Sequence, residues 1–200
     1  MTYPTIDGPY GLKPVNLIGG QVFSGSTRQI PIASGYATAL YTGDTVKLTT
    51  DGTLIKDAGT TAATPVGVFL GCSYTDPTMK YKLFSQTYPA STVASDIVAV
   101  VADDPDTLFK VALVSGTTVI AGYARTALVG KNVSIVQNAG SATAGVARSA
   151  ALGSSAATTA TLPLRVIDVV AETVDASGNP TEAIVKINFG MHQYNLALGI

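Results

Sequence analysis

The sequence predicts an all-β protein: a β-sandwich of jelly-roll type, or a β-barrel, with an extended N-terminal arm. Three observations carry this. Short runs rich in Val, Ile, Leu, Thr and aromatic residues recur along the chain, bounded by Gly, Pro, Asn, Asp or Ser, the pattern of many short strands joined by turns. No stretch sustains a helical period, so no long helix is expected. The chain has 200 residues, enough for one core of ordinary size. Sandwich and barrel produce the same strand signals, so the topology stays open.

Residues 1–31 are rich in proline and glycine and have little periodicity. They read as an arm, with residues 32–200 as a single β-rich domain. In ALYTGDTVKLTTDGTLIKD, Val46 and Leu48 alternate with polar residues, and Asp51-Gly52 precedes Leu54-Ile55. An Asp-Gly pair between such runs predicts a primed hairpin turn, whose positive φ glycine adopts cheaply. In ATPVGVFLGCSYTDPT, Val66, Val68 and Leu70 fall on one side of a strand, and Gly67, Phe69 and Gly71 on the other. Glycines on one face mark a close neighbour or a bend. YKLFSQTY and DIVAVVA are two more strands, parted by a Pro-Ala-Ser loop.

Asp103-Asp104-Pro105-Asp106 follows, and then TLFKVALV, again β-prone. Asp at the first turn position bonds its own backbone and Pro at the next presets φ, so a turn explains these residues without a carboxylate site. The ligand pattern of a calcium loop, with its glycine, is absent from this segment. AGYARTALVGK holds a short helix around Tyr123 to Val129, ended by Gly130. NVSIVQN resumes the strand pattern.

Residues 139–161 are almost entirely Ala, Gly, Ser and Thr, with Arg148 the single charge. This low-complexity segment is either a flexible linker or thin strands packed in an assembly. LPLRVIDVVAETV and EAIVKINF form the last strand pair, joined through the turn residues Asp175 to Pro180. The tail NLALGI sets Leu196, Leu198 and Ile200 on one face, either to close the protein's own sheet or to add to a neighbour's edge.

Composition narrows the function. Charged residues make up 12% of the chain, against about 25% in ordinary soluble domains. Mean hydropathy is +0.34, yet no apolar run reaches the roughly 18 residues of a membrane span. A chain so poor in charge is expected to have much of its surface covered by partners, unless its many small residues merely raise the hydropathy. Net charge is −1 and the basic residues are scattered, so neither nucleic acid nor membrane is an expected partner. With one cysteine there is no internal disulfide. The N-terminus lacks the pattern of a secretory signal.

The search for chemistry finds little. His192 is the single histidine and Cys72 the single cysteine. A Ser-His-Asp triad lacks a nucleophile elbow. A Cys72-His192 dyad is formally available, but Cys72 sits in a strand-like run where a buried, inert thiol is the common case. Zinc lacks ligands. A paired-carboxylate glycosidase stays open, though no Trp offers a sugar platform. No phosphate loop or dinucleotide fingerprint occurs. Asn132-Val133-Ser134 matches a glycosylation sequon by coincidence. The expectation is no enzymatic activity, no cofactor and no metal.

Four stretches taken in order carry a resemblance: GLKPVNLIGGQVFSGSTRQIPIASGY, TPVGVFLGCSYTDPT, VADDPDTLFKVALV and VGKNVSIVQNAGSATAGVARSAALGSSAATTATLPLRVIDVV. Together they resemble the head decoration, or cement, proteins of tailed bacteriophages of podovirus and cyanophage type. The resemblance implies a β-rich homotrimer with no catalytic motif, made in the host cytoplasm. Such a protein sits on the outer capsid surface and clamps capsomers of the major capsid protein together. It also implies that the Asp103–Asp106 segment lies in an ordinary β-hairpin. A tail, neck or fibre component of the particle, a carbohydrate-binding β module and a hydrolase are the rivals.

On this reading the contacts come from the arm residues Tyr3, Tyr10, Leu12, Val15, Leu17 and Ile18 and the tail residues Tyr194, Leu196, Leu198 and Ile200. Deleting residues 1–18 is then expected to abolish shell binding and leave the fold intact.

Overall fold

The computed structural model describes residues 9–115, 118–119, 125–173 and 181–199. In chain order the strands are β1 (Lys13–Leu17), β2 (Arg28–Pro31), β3 (Leu40–Tyr41), β4 (Thr45–Leu48), β5 (Leu54–Lys56), β6 (Gly67–Thr75), β7 (Lys82–Ser85), β8 (Thr87–Tyr88), β9 (Val98–Ala102), β10 (Thr107–Ser115), β11 (Thr118–Val119), β12 (Asn132–Val136), β13 (Ala150–Ala157), β14 (Leu164–Val169) and β15 (Glu182–Ile187). One helical turn, α1 (Arg125–Leu128), precedes β12.

Alternation in the second half of the chain builds a barrel. Phe109, Val111 and Leu113 on β10, Val133 and Ile135 on β12, Leu164 and Val166 on β14, and Val185 and Ile187 on β15 share one buried cluster. Each set has the period of two that puts residues on one face of a strand. The pairing runs β10-β13-β12-β14-β15 and returns to β10, so the sheet closes on itself with five strands. Most ladders are antiparallel; the β10–β13 ladder is parallel, with Leu113 opposite Ala151. Closing so few strands leaves a narrow interior, which favours small side chains on one of them. β13, reading AALGSSAA, supplies them. The Ala/Gly/Ser/Thr segment is therefore a barrel stave at residues 150–157.

The first half of the chain builds a second sheet, in the order β2-β9-β6-β4-β5 with β7 also on β6. Its core holds Ile30, Val46, Leu54, Phe69, Cys72, Tyr74, Ala99 and Val101, together with Leu40 and Tyr88 of the small β3–β8 ribbon. β6 serves both cores: Val68 packs into the barrel cluster and Phe69 into the second. The register slips between Phe69 and Gly71 opposite β9, so simple alternation along this strand fails at Leu70. Both glycines on it are required by contact: a Cβ on Gly67 would lie 2.2 Å from the Ala102 carbonyl oxygen, and one on Gly71 2.9 Å from the Ser85 carbonyl oxygen.

Several sequence expectations need correction. The Asp51-Gly52 hairpin exists, with Leu48 opposite Leu54, but its turn is not primed. Gly52 N–H donates to the Thr49 carbonyl at 2.9 Å; Gly52 has φ +72 while Asp51 has no positive φ. This is a type I turn closed by a left-handed glycine. The Asp103–Asp106 turn is not in a hairpin: β9 pairs in the second sheet and β10 in the barrel, so the turn is the crossing between them.

Within the segment expected as an arm, β1 pairs with β10 and β2 with β9, and Leu12 is wholly buried in the barrel cluster. Deleting residues 1–18 would therefore remove a strand and a core side chain. The tail forms no strand through residue 199; it turns through short 3-10 segments at Phe189–Met191 and Gln193–Asn195. The expected joining turn at 175–180 and the start of the expected helix at 123–124 lie outside the described residues.

Polar contacts stitch the two cores together. Gln137 Nε2 donates to Thr45 Oγ1 at 3.1 Å and to the carbonyls of Asp57 at 2.9 Å and Gly59 at 3.2 Å. Gln193 bonds both the N–H and the C=O of Leu48, at 2.8 and 3.0 Å. Asp44, fully buried, accepts from Ser149 Oγ at 3.4 Å across the seam and holds Lys56 Nζ of its own sheet at 2.7 Å. Gly11, at φ +76, lets the chain pass so close that a Cβ would stand 2.6 Å from the Gly43 oxygen.

Candidate functional site

Two features stand out: the acidic crossing between the sheets and the apolar side chains left outside both cores. In the crossing, Asp104 Oδ1 accepts the Asp106 N–H at 2.8 Å and the Asp104 carbonyl accepts the Thr107 N–H at 3.1 Å. That is the turn the sequence predicts. The two flanking carboxylates bind elsewhere. Asp103 accepts from Arg28 Nε at 2.8 Å and from the Tyr194 hydroxyl at 2.9 Å. Asp106 meets Lys186 Nζ at 2.5 Å. Burial and Asp103 together push the Tyr194 phenol up to about 12.

His192 lies beneath this cluster with no exposed surface. Its Nδ1 accepts the Tyr194 N–H at 3.3 Å, which fixes the proton of the neutral ring on Nε2. Burial pulls the imidazole below its ordinary value; the nearby Asp103 charge pulls the other way and loses. Cys72 lies in the second core instead, donates to the Thr87 carbonyl at 3.3 Å, and is pushed up to about 11 by burial. The formal dyad is thus not assembled. Among the described residues, no group of three or more His, Cys, Asp or Glu is placed to hold a metal ion.

The apolar exposure is of another kind. Phe84 on β7 is 83% exposed and Phe189, just past β15, is 70% exposed. Phe84 stands over an open groove with Leu70, Gly71, Cys72 and Val100. Phe189 and Ile18 line a notch of about 150 Å³ with Ile167, Ile187, Asn188, Arg165 and Lys186.

The expected interface residues divide. Val15, Ile18, Leu196 and Leu198 are exposed. Leu17 is half-buried and Leu12 is core. Tyr10 donates to Glu182 and carries Lys13 Nζ 4.4 Å from its ring centroid; it is tied internally. Tyr194 shows ring surface, but its hydroxyl is committed to Asp103. Tyr3 and Ile200 lie outside the described residues. Phe84, Phe189, Val22 and Arg165 escaped sequence reasoning. Alternation separates Leu83 from Phe84 but does not say which of the two faces water.

The fold is that of an all-β protein built on a closed five-stranded barrel with a second sheet beside it. No family model, no curated protein and no solved structure matches the chain.

Proposed function

We propose that the protein is a structural component of tailed-phage particles: a decoration protein that binds the major capsid protein on the outer head surface, assembles as a homotrimer and catalyses nothing. The observation that carries the reading is the exposure of bulky apolar side chains on paired strands and at strand ends, Phe84 and Phe189 foremost, in a chain with 12% charged residues. Apolar groups held outward on hydrogen-bonded backbone have already lost much of their freedom, so covering them costs little further entropy. The sequence resemblance supplies the partner. Packaged DNA presses outward on a shell, and a clamp across its seams adds contact area that many copies supply together.

The test is a copy count in purified particles by quantitative mass spectrometry, referenced to the major shell protein. A simple integer ratio to that protein is expected. A small fixed number per particle would move the protein to the neck, tail or fibres, and its absence from particles would end the structural reading.

A further inference from the structure

The β14–β15 ladder sets Arg165 directly opposite Lys186. Like charges in that position repel and destabilise the pair. Lys186 is compensated by Asp106. Arg165 is exposed and has no carboxylate partner among the described residues. Its Nε donates to Asn132 Oδ1 at 2.9 Å. Asn132 is buried and anchored by its own amide to the Thr159 carbonyl at 2.9 Å. The barrel therefore aims the guanidinium, and its terminal N–H groups make no hydrogen bond among the described residues. Beside it lies the notch of about 150 Å³ under Ile18 and Phe189. Small-molecule pockets run to roughly 300–1,000 Å³; this volume suits one anchoring side chain of a protein partner.

We propose that the notch docks an extended segment of the shell protein in which a bulky apolar side chain stands next to an aspartate or glutamate. The apolar group enters between Ile18 and Phe189, and Arg165 receives the carboxylate with two parallel hydrogen bonds. The proposal rests on the decoration reading above. A second copy of the chain is the less fitting occupant. The exposed acids among the described residues, Asp51, Asp106 and Glu172, are flanked by Thr, Gly, Pro or Ala. The pairs Ile6-Asp7 and Val174-Asp175 lie outside them, and their use by a second copy is the rival outcome.

The test measures co-sedimentation of the full chain with shells depleted of it, and self-association of the same proteins by analytical ultracentrifugation. Arg165→Glu and Phe189→Ala are each expected to weaken shell binding at least tenfold, with unfolding midpoints near the parent's and self-association unchanged. Glu172→Gln is expected to bind as the parent does. Parent-like shell binding by both notch variants would overturn the proposal. So would loss of self-association in Arg165→Glu, which would make the occupant a second copy. Failure of the parent itself to bind shells would instead overturn the decoration reading, and the shell segment with it.

Discussion

Leu12→Ala separates core from interface at a position where sequence and structure differ. The side chain is wholly buried in the barrel cluster, and its N–H donates to the Gly43 carbonyl at 3.0 Å, so the surrounding backbone is pinned and collapses poorly into the space left. Leu→Ala at such sites costs about 2–5 kcal/mol, the transfer loss plus the cavity. In a chain of 200 residues, about 3 kcal/mol lowers the melting midpoint by about 6–12 °C. Ile18→Ala, six residues on and 49% exposed, should cost less than about 1 kcal/mol. Equilibrium urea unfolding followed by tyrosine fluorescence reads both, since the chain has nine Tyr and no Trp. A Leu12→Ala protein within about 0.5 kcal/mol of the parent would refute the core assignment.

Three further outcomes follow from the same geometry. Lys56→Met strands the buried Asp44 carboxylate and should cost about 3–5 kcal/mol, while adding Asp44→Leu recovers part of that loss; chemical unfolding of the single and double variants checks it. His192 has a folded value below the unfolded one of about 6.5, so the unfolded chain binds the proton first. Stability should be flat above that pH and fall below it, by at most about 1.4 kcal/mol per pH unit from this group; His192→Phe should flatten that part of the curve in unfolding measured from pH 8 to 5. Deleting residues 1–18 removes β1 and Leu12 and should lower the melting midpoint by more than about 10 °C.

Local chemistry was legible in the sequence; partnership was not. The Asp103–Asp106 turn and the Asp51-Gly52 hairpin follow from side chains within a few residues of one another. Whether β9 and β10 join as a hairpin or part into separate sheets depends on what each meets far along the chain. β9 takes β2 and β6, and β10 takes β1, β13 and β15. No local pattern encodes that choice. The small-residue stretch defeated composition for a related reason. Ala, Gly and Ser argue for a linker when read alone, and for a barrel stave once four bulkier strands surround them. β6 shows the same limit within one strand: Val68 and Phe69 are neighbours buried in different cores, so no single polar face exists for alternation to reveal.

The three aspartates that most suggest catalysis are better understood as mechanical. Asp103 ties β2 and the tail, Asp104 folds the crossing itself, and Asp106 ties β15. The crossing thus bonds both sheets at the point where the chain passes between them. Gln137 and Gln193 make further directional contacts elsewhere along the seam. Apolar contact between two cores tolerates sliding, since it is non-directional; hydrogen bonds near 2.9 Å do not. A seam built this way fixes the angle between barrel and sheet. The lattice clamp proposed above would need that property, because Phe84 on the sheet and Phe189 at the barrel end could meet two neighbouring surfaces together only if their separation were set in advance. If the angle were soft, the second contact would bear the ordering entropy of the first.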